Sequence, residues 1–145
     1  MTKRAFRSGA LYLTRRYLWP WGRIRVYLHT LHRSDDTPHF HNHPWAWGWS
    51  LILWGGYVEE RLANVGDTPR RVITSRTLRP GSAYMLRPGD FHRVTGIDRP
   101  SWSLFIAGPK LARPPGKEWG FKCPTCGTYT PHGQFNTTGA RCGHP

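Results

Sequence analysis

At 145 residues the chain suits one compact domain with an appendage and cannot hold two full-sized domains. Its 21 Lys and Arg, 17 of them Arg, stand against 8 Asp and Glu, a formal net charge of +13. That balance excludes an acidic solvating tail and makes an anionic partner natural, nucleic acid included. No apolar run approaches the ~18 residues of a membrane helix, so no membrane partner is expected. The three cysteines all fall within the last 23 residues, which fits a metal site in a reducing compartment better than a disulfide framework. A cytoplasmic protein is the expectation.

Residues 1–22 form a basic, aromatic arm that carries Arg15, Arg16, Trp19 and Trp21, with a short strand predicted over 11–17. From Arg23 the period is that of a strand, Ile24, Val26 and Leu28 alternating with Arg25, Tyr27 and His29. A polar turn over 33–38 leads into a histidine-rich stretch. Residues 49–54 read as a buried strand, Gly55-Gly56 as a turn, and 57–63 as a strand carrying Glu59 and Glu60. Residues 71–78 alternate again, Pro80-Gly81 and Pro88-Gly89 punctuate two further short strands, and 101–107 is the last clear one. No window sustains a helical period. Seven or eight short strands at roughly ten-residue spacing predict an all-β sandwich or barrel over 23–109. After Gly108-Pro109 the composition shifts to Pro, Gly, Lys and Cys, which marks 110–145 as a separate extension.

The informative segment is His39-Phe40-His41-Asn42-His43-Pro44-Trp45. Residues two apart in a strand face one side, so His41 and His43 can share a metal if a third ligand arrives from elsewhere. His92, just after the Pro88-Gly89 turn, is that third ligand. His39 has the same parity but lies beside Pro38 and is expected at the rim. His29 and His32 have opposite parities, cannot both face a pocket, and are expected as surface or core residues. Trp45, Trp47 and Trp49 share the histidines' parity and are expected mainly as core.

On these residues the sequence resembles the cupin superfamily. The first cupin motif opens on a His-x-His pair and closes on a glycine, and here His43 lies 12 residues before Gly55. The second motif is met by Gly81, Gly89 and His92, its proline displaced by one to Pro88. The resemblance covers about residues 24–108. It implies a cupin-type double-stranded β-helix, a jelly-roll barrel, with homodimerisation as a common state. Where the family often places a ligating glutamate, this chain has Trp47 or Gly48, so what remains resembles the three-histidine centre of cupin thiol dioxygenases. It also resembles small cupin-like proteins with a His-x-His-Pro-Trp segment, many of them phage-encoded, for which the host cytoplasm is the setting. Other cupins hold no metal and use a pocket histidine as a base.

Three neutral imidazoles would leave a divalent ion its full charge and open positions. Iron(II) there suits a bidentate substrate and dioxygen, whereas zinc suits polarisation of a carbonyl or water. An anionic substrate neutralises such a centre best. Tyr27, Tyr57 and Arg93 are the candidate substrate-binding residues, with Arg25 and Arg61 as further wall or mouth candidates.

In the extension, Cys123-Pro124-Thr125-Cys126-Gly127 has the form of a zinc knuckle, and Cys142 and His144 complete a Cys3His set. His132 competes for the fourth place because the Cys142-x-His144 pair is tight. A closed site of this kind is structural and folds its own segment. The sequence therefore predicts a cupin barrel with a metal on His41, His43 and His92, iron(II) or another divalent transition metal, and a small C-terminal zinc-binding tail. The expected function is oxygenation of a small anionic, nucleotide-related substrate. The alternatives are a metal-free isomerase or epimerase, and a non-catalytic protein whose knuckle and Arg-rich surface contact nucleic acid.

Overall fold

The structure is a computed structural model that describes residues 1–7, 9–68, 70–112 and 119–132. Among these residues there is no α-helix, and no helix long and apolar enough to cross a membrane. The strands are β1 (Thr2–Arg7), β2 (Ala10–Trp21), β3 (Ile24–Leu31), β4 (Phe40–His41), β5 (Gly48–Trp54) and β6 (Tyr57–Asn64). They continue with β7 (Arg71–Leu78), β8 (Ala83–Leu86), β9 (Phe91–Thr95), β10 (Ser101–Ala107), β11 (Gly120–Lys122) and β12 (Tyr129–Pro131). Two six-stranded antiparallel sheets result, ordered β1-β2-β3-β10-β5-β8 and β12-β11-β4-β9-β6-β7. From β4 onward the chain crosses repeatedly between them, at β4–β5, β5–β6, β7–β8, β8–β9 and β9–β10, which is the winding of a jelly roll.

More strands form than the sequence period predicts, because both flanking segments are drawn into sheet edges. The arm adds β1 and β2 beside β3, and residues 120–131 add β11 and β12 beside β4. Pro20 sits in β2 opposite Arg25, beyond the last β1 partner, where a missing donor costs no ladder bond on that edge. Ile52, Tyr57, Leu78, Tyr84, Leu86 and Val94, drawn from both sheets, are buried in one core cluster.

Three expectations are corrected here. Residues 42–47 are not a continuation of the histidine strand but the crossing from one sheet to the other, so the shared parity of Trp45, Trp47 and Trp49 does not hold. Trp45 is buried in the core, Trp47 packs against Gly108, and Trp49 pairs with Ile106 and Met85. The strand over 49–54 is buried on one face only; Leu53 and Trp54 are exposed, Trp54 opposite Trp102 at a bulge. The β7 strand pairs only with β6, at the sheet edge, and Val72 and Ile73 stay exposed there.

The crossing from β5 to β6 depends on Gly55 and Gly56, whose φ values are +75° and +142°. A Cβ on Gly56 would lie 2.5 Å from the Leu78 carbonyl oxygen, and one on Gly55 would lie 2.9 Å from that of Pro100. Gly66, by contrast, has φ +57° with nothing within 4 Å of a built Cβ. Gly56→Ala is expected to destabilise the fold by about 2 kcal/mol or more, through the clash added to the strained conformation. Gly66→Ala should cost only about 1 kcal/mol, the conformational part alone. Urea-unfolding midpoints of the two variants check the difference; equal shifts would mean the β5–β6 turn relaxes freely.

Candidate metal centre

His41 lies in β4 between β11 and β9, opposite Phe121 on one side and His92 on the other. That cross-strand register sets the His41 and His92 rings 4.7 Å apart. Asn42, which separates the two histidines of the motif, is buried and acts as a peg. Its Nδ2 donates to the Pro88 carbonyl at 3.2 Å, and its Oδ1 accepts from the Gly120 amide at 2.8 Å. The histidine segment is thereby tied both to the turn before His92 and to β11. His43 lies just past the end of β4, and its ring stacks on Trp45 at 4.9 Å.

The three rings converge. One nitrogen from each of His41, His43 and His92 lies within 4.8 Å of the others, and His43 Nε2 is 2.8 Å from His92 Nε2. Two ligands at right angles on one ion with bonds of ~2.0–2.1 Å stand about 2.9 Å apart, so this separation fits a shared ion. Behind His92, Glu59 Oε1 lies 3.2 Å from Nδ1, a proximity that favours the tautomer protonated at Nδ1. His92 Nε2 then carries its lone pair toward His43. Behind His41, Asp35 Oδ2 lies 4.0 Å from Nδ1 while accepting the Val94 amide at 2.7 Å. A carboxylate behind each cross-strand histidine is the usual outer support of a metal-ligating imidazole. The donor set fits a divalent transition metal held by three imidazoles.

Glu59 was carried in the sequence only as a strand residue, and its role emerges from the structure. It is fully buried, and its second oxygen accepts from Arg76 Nε at 2.6 Å while Oε1 also accepts from Arg61 Nε at 3.2 Å. Burial alone would raise its carboxyl, but His92, then Arg61 and Arg76, overcome that and hold it down to about 2. The signal was its parity with Tyr57, which points the same way along β6. Where the cupin pattern has a ligating glutamate, Gly48 lies under the Phe105 ring and Trp47 covers Gly108.

The histidines open into a cavity of about 1040 Å³ between the sheets. Tyr27, Tyr57 and Arg25 line it, as do Trp45, Arg15 and His29. Tyr57 and Tyr84 share a hydroxyl–hydroxyl bond of 2.8 Å, and burial pushes both phenols above their ordinary range. Arg93 stands apart from this group. One residue past inward-facing His92, it lies on the opposite face of β9, bonded to Glu60 and to the Pro38 carbonyl and laid over Phe40. Arg61 bonds Glu59, Asp90 and the Met85 carbonyl. His39 is buried against Thr37, and His32 bonds the Thr14 hydroxyl.

Cys123 and Cys126 frame a tight turn in which the Gly127 amide donates to the Cys123 carbonyl at 2.9 Å. Cys123 is buried and Cys126 exposed. Arg71 of β7 straps this turn by donating to the Pro124 and Thr125 carbonyls. Cys142 and His144 lie outside the described residues. The His132 ring stacks on Trp119 at 3.7 Å and lines the barrel cavity.

Glu59→Gln keeps an acceptor near His92 Nδ1 and removes the charge. A 10–100-fold loss of metal affinity is expected, with the fold retained. Competition against a chelator of known affinity reads this directly, and an unchanged constant would mean that Glu59 serves only Arg61 and Arg76.

No family model matches the chain, and no curated protein matches it. Among solved structures it is similar to a protein from Ralstonia eutropha JMP134 described as a candidate mannose-6-phosphate isomerase. The two share 18% identity over 70% of this chain and 88% of that one, with a TM-score of 0.54. It is also similar to HppE in its iron(II) form, at 10% identity, 74% of this chain, 55% of that one and a TM-score of 0.55. A third likeness is to Streptomyces albus HEPD with 2-hydroxyethylphosphonate and iron(II) bound, at 14% identity and a TM-score of 0.56, over 78% of this chain and 25% of that one. The chain thus spans about half the length of HppE and a quarter of HEPD. At such identities the likeness speaks to the fold, which is that of the cupin-type jelly rolls, here with a three-histidine cluster in its cavity.

Proposed function

We propose that the chain is a metal-dependent cupin enzyme, an iron(II) oxygenase acting on a small anionic substrate. The observation that carries the reading is the convergence of three imidazole nitrogens within 4.8 Å, each cross-strand histidine backed by a buried carboxylate, at the wall of a cavity large enough for a small molecule. The iron(II) forms of HppE and HEPD, the latter with a phosphonate substrate, support the choice of metal and of an anion.

Iron(II) bound by three neutral imidazoles would supply dioxygen activation beside a chelated substrate. The protein's own groups prepare that site. Glu59 and Asp35 orient His92 and His41, and the stack on Trp45 fixes the plane of His43. Tyr57 and Tyr84 stay protonated at neutral pH and offer a hydroxyl that orients substrate by hydrogen bonding. Trp45, Phe105 and Tyr27 give the cavity apolar walls that exclude water from the reacting groups. Among the described residues, Lys3, Arg15, Arg25 and Lys110 against the carboxylate of Asp36 make the lining cationic, which draws an anion toward it.

The second metal belongs to the extension. Cys123 and Cys126, held in a knuckle turn, would bind a structural zinc with Cys142 and His144, the Cys3His set. His132, stacked on Trp119, is the less suited fourth ligand.

Protein reconstituted anaerobically with iron(II) should hold close to one iron per chain in the barrel. His41→Ala and His92→Ala should each retain less than about a tenth of it, and dioxygen uptake in the presence of small carboxylates or phosphonates should vanish with it. Wild-type protein that holds no divalent metal in the barrel would sink the oxygenase reading in favour of a histidine acid–base pair. Zinc should be present at one per chain and leave on Cys123→Ser without disturbing the iron.

A further inference from the structure

The cavity has a second pole on the sheet opposite the histidines. Across the first sheet, Lys3, Arg15, His29 and Ser103 stand in register on neighbouring strands, and all four line the cavity. Arg15 is the unusual member of that row. Its Nε donates to His29 Nε2 at 2.9 Å, and its guanidinium carbon lies 5.1 Å from the Tyr27 ring centre and 5.7 Å from that of Trp45. No carboxylate among the described residues pairs with it. The ion pairs of Arg61, Arg76 and Arg93 take up Glu59, Glu60 and Asp90 on the other sheet.

Such a partnership is a poor counterweight for a charge partly withdrawn from water. Removing a cation from water is costly unless an anion or several acceptors replace the lost hydration. Burial lowers the Arg15 pKa, with only Tyr27 and Tyr12 acting against it. Burial, and then Arg15 itself, hold His29 well below its ordinary value, so it remains a neutral acceptor and adds no negative charge. The His29 ring is fixed in turn by a stack on Phe105, 4.8 Å away and 15° from parallel. What is built, then, is a guanidinium oriented through Nε and held between aromatic faces. The Nη1 and Nη2 edge has no protein acceptor among the described residues.

We infer that Arg15, positioned by His29, is the anchor for an oxyanion, a carboxylate or phosphoryl group, at the far end of the substrate whose near end meets the three histidines. The inference rests on the proposed reading of the cavity as a substrate site. A guanidinium fork matches either kind of oxyanion bidentately, which a lysine in its place would not. Spacing sets the size of the ligand. The His43 ring stacks on Trp45 at 4.9 Å and Arg15 lies 5.7 Å from the same ring, so guanidinium carbon and His43 centre are at most about 11 Å apart. That span suits a small bifunctional acid, and the flanking aromatic walls suit an unsaturated or apolar segment between its ends.

The test measures binding of simple probes, inorganic phosphate, methylphosphonate and acetate, by thermal shift and by tryptophan fluorescence, since Trp45 lies beside the anchor. The proteins are the full-length wild type, Arg15→Met, Arg15→Lys, His29→Phe, and a His41→Ala/His92→Ala double variant that removes the metal ligands. The expected result is saturable binding of at least one probe to the wild type, and at least tenfold weaker binding in Arg15→Met. Arg15→Lys should be weakened also, with its charge and fold retained, which guards against a Met variant that fails to fold. Binding should persist in the double histidine variant, and His29→Phe should weaken it less than Arg15→Met does. The stronger of the phosphoryl and carboxylate arms names the class of group. Equal binding in Arg15→Met and wild type, no binding to the wild type at tens of millimolar, or loss of binding only in the double histidine variant would each overturn the anchor. Probe binding by a wild-type protein that takes up no barrel metal on reconstitution would leave the anchor standing and defeat only the oxygenase reading.

Discussion

The pairing of β4 with β9 places His41 directly opposite His92, and the centre depends on it. A strand of two residues has little stability of its own, and side-chain bonds supply what the ladder lacks. Asn42 reaches the Pro88 carbonyl on one side and the Gly120 amide on the other, while Asp35 bridges to the Val94 amide just beyond. These bonds are buried or partly so, and breaking one strands a polar group with little water to replace its partner. Together the bonds hold the register, and a one-residue slip of β4 would turn His41 away from His92, which β6 keeps in place. The extension takes part in this through β11, which pairs with β4 on its other edge.

The sequence carries most of the fold and much of the centre, and the reasons for the remainder are physical. Spacing alone indicated His41, His43 and His92, because Pro-Gly and Gly-Gly turns mark where strands begin and the histidines keep a fixed offset from them. Parity then failed at Trp47 and Trp49, since a period of two holds only inside a strand and the chain changes sheets between 42 and 47. Glu59 was legible as a strand residue but not as the support of His92, a contact made across the β6–β9 pairing rather than along the sequence. Arg93 shows the limit of composition. It is an arginine next to a ligand, yet the same alternation that brings His92 inward sends it out to Glu60.

β3 shows the same limit in reverse. Its apolar set, Ile24, Val26 and Leu28, reads as the natural core face, but the face turned to the barrel interior carries Tyr27, His29 and Leu31. A strand that lines a ligand cavity inverts the usual rule, because its inner face must contact a polar guest while its outer face meets only part of the solvent. Polar and aromatic residues on the inner face are then the expected composition of a site. The alternation was visible in the sequence, but which half faced inward was not, since that is decided by what the opposite sheet presents.

Charge separates the two walls in the same manner. Of the eight acidic residues, Asp35 and Glu59 stand behind the histidines, and Glu60 and Asp90 are held by arginines of the second sheet. Little negative charge remains for the first sheet, where Lys3, Arg15 and Arg25 face the cavity beside a neutral His29. The charge around the cavity is thus unevenly distributed. Carboxylates gather where they orient imidazoles, and cations remain unbalanced across the cavity from them. Lys3 and Arg25 are exposed, but Arg15 is partly withdrawn from water, and an anionic guest would offset that cost where a neutral one would not. The distribution of charge therefore favours the anionic guest proposed for the barrel, independently of which metal the histidines would hold.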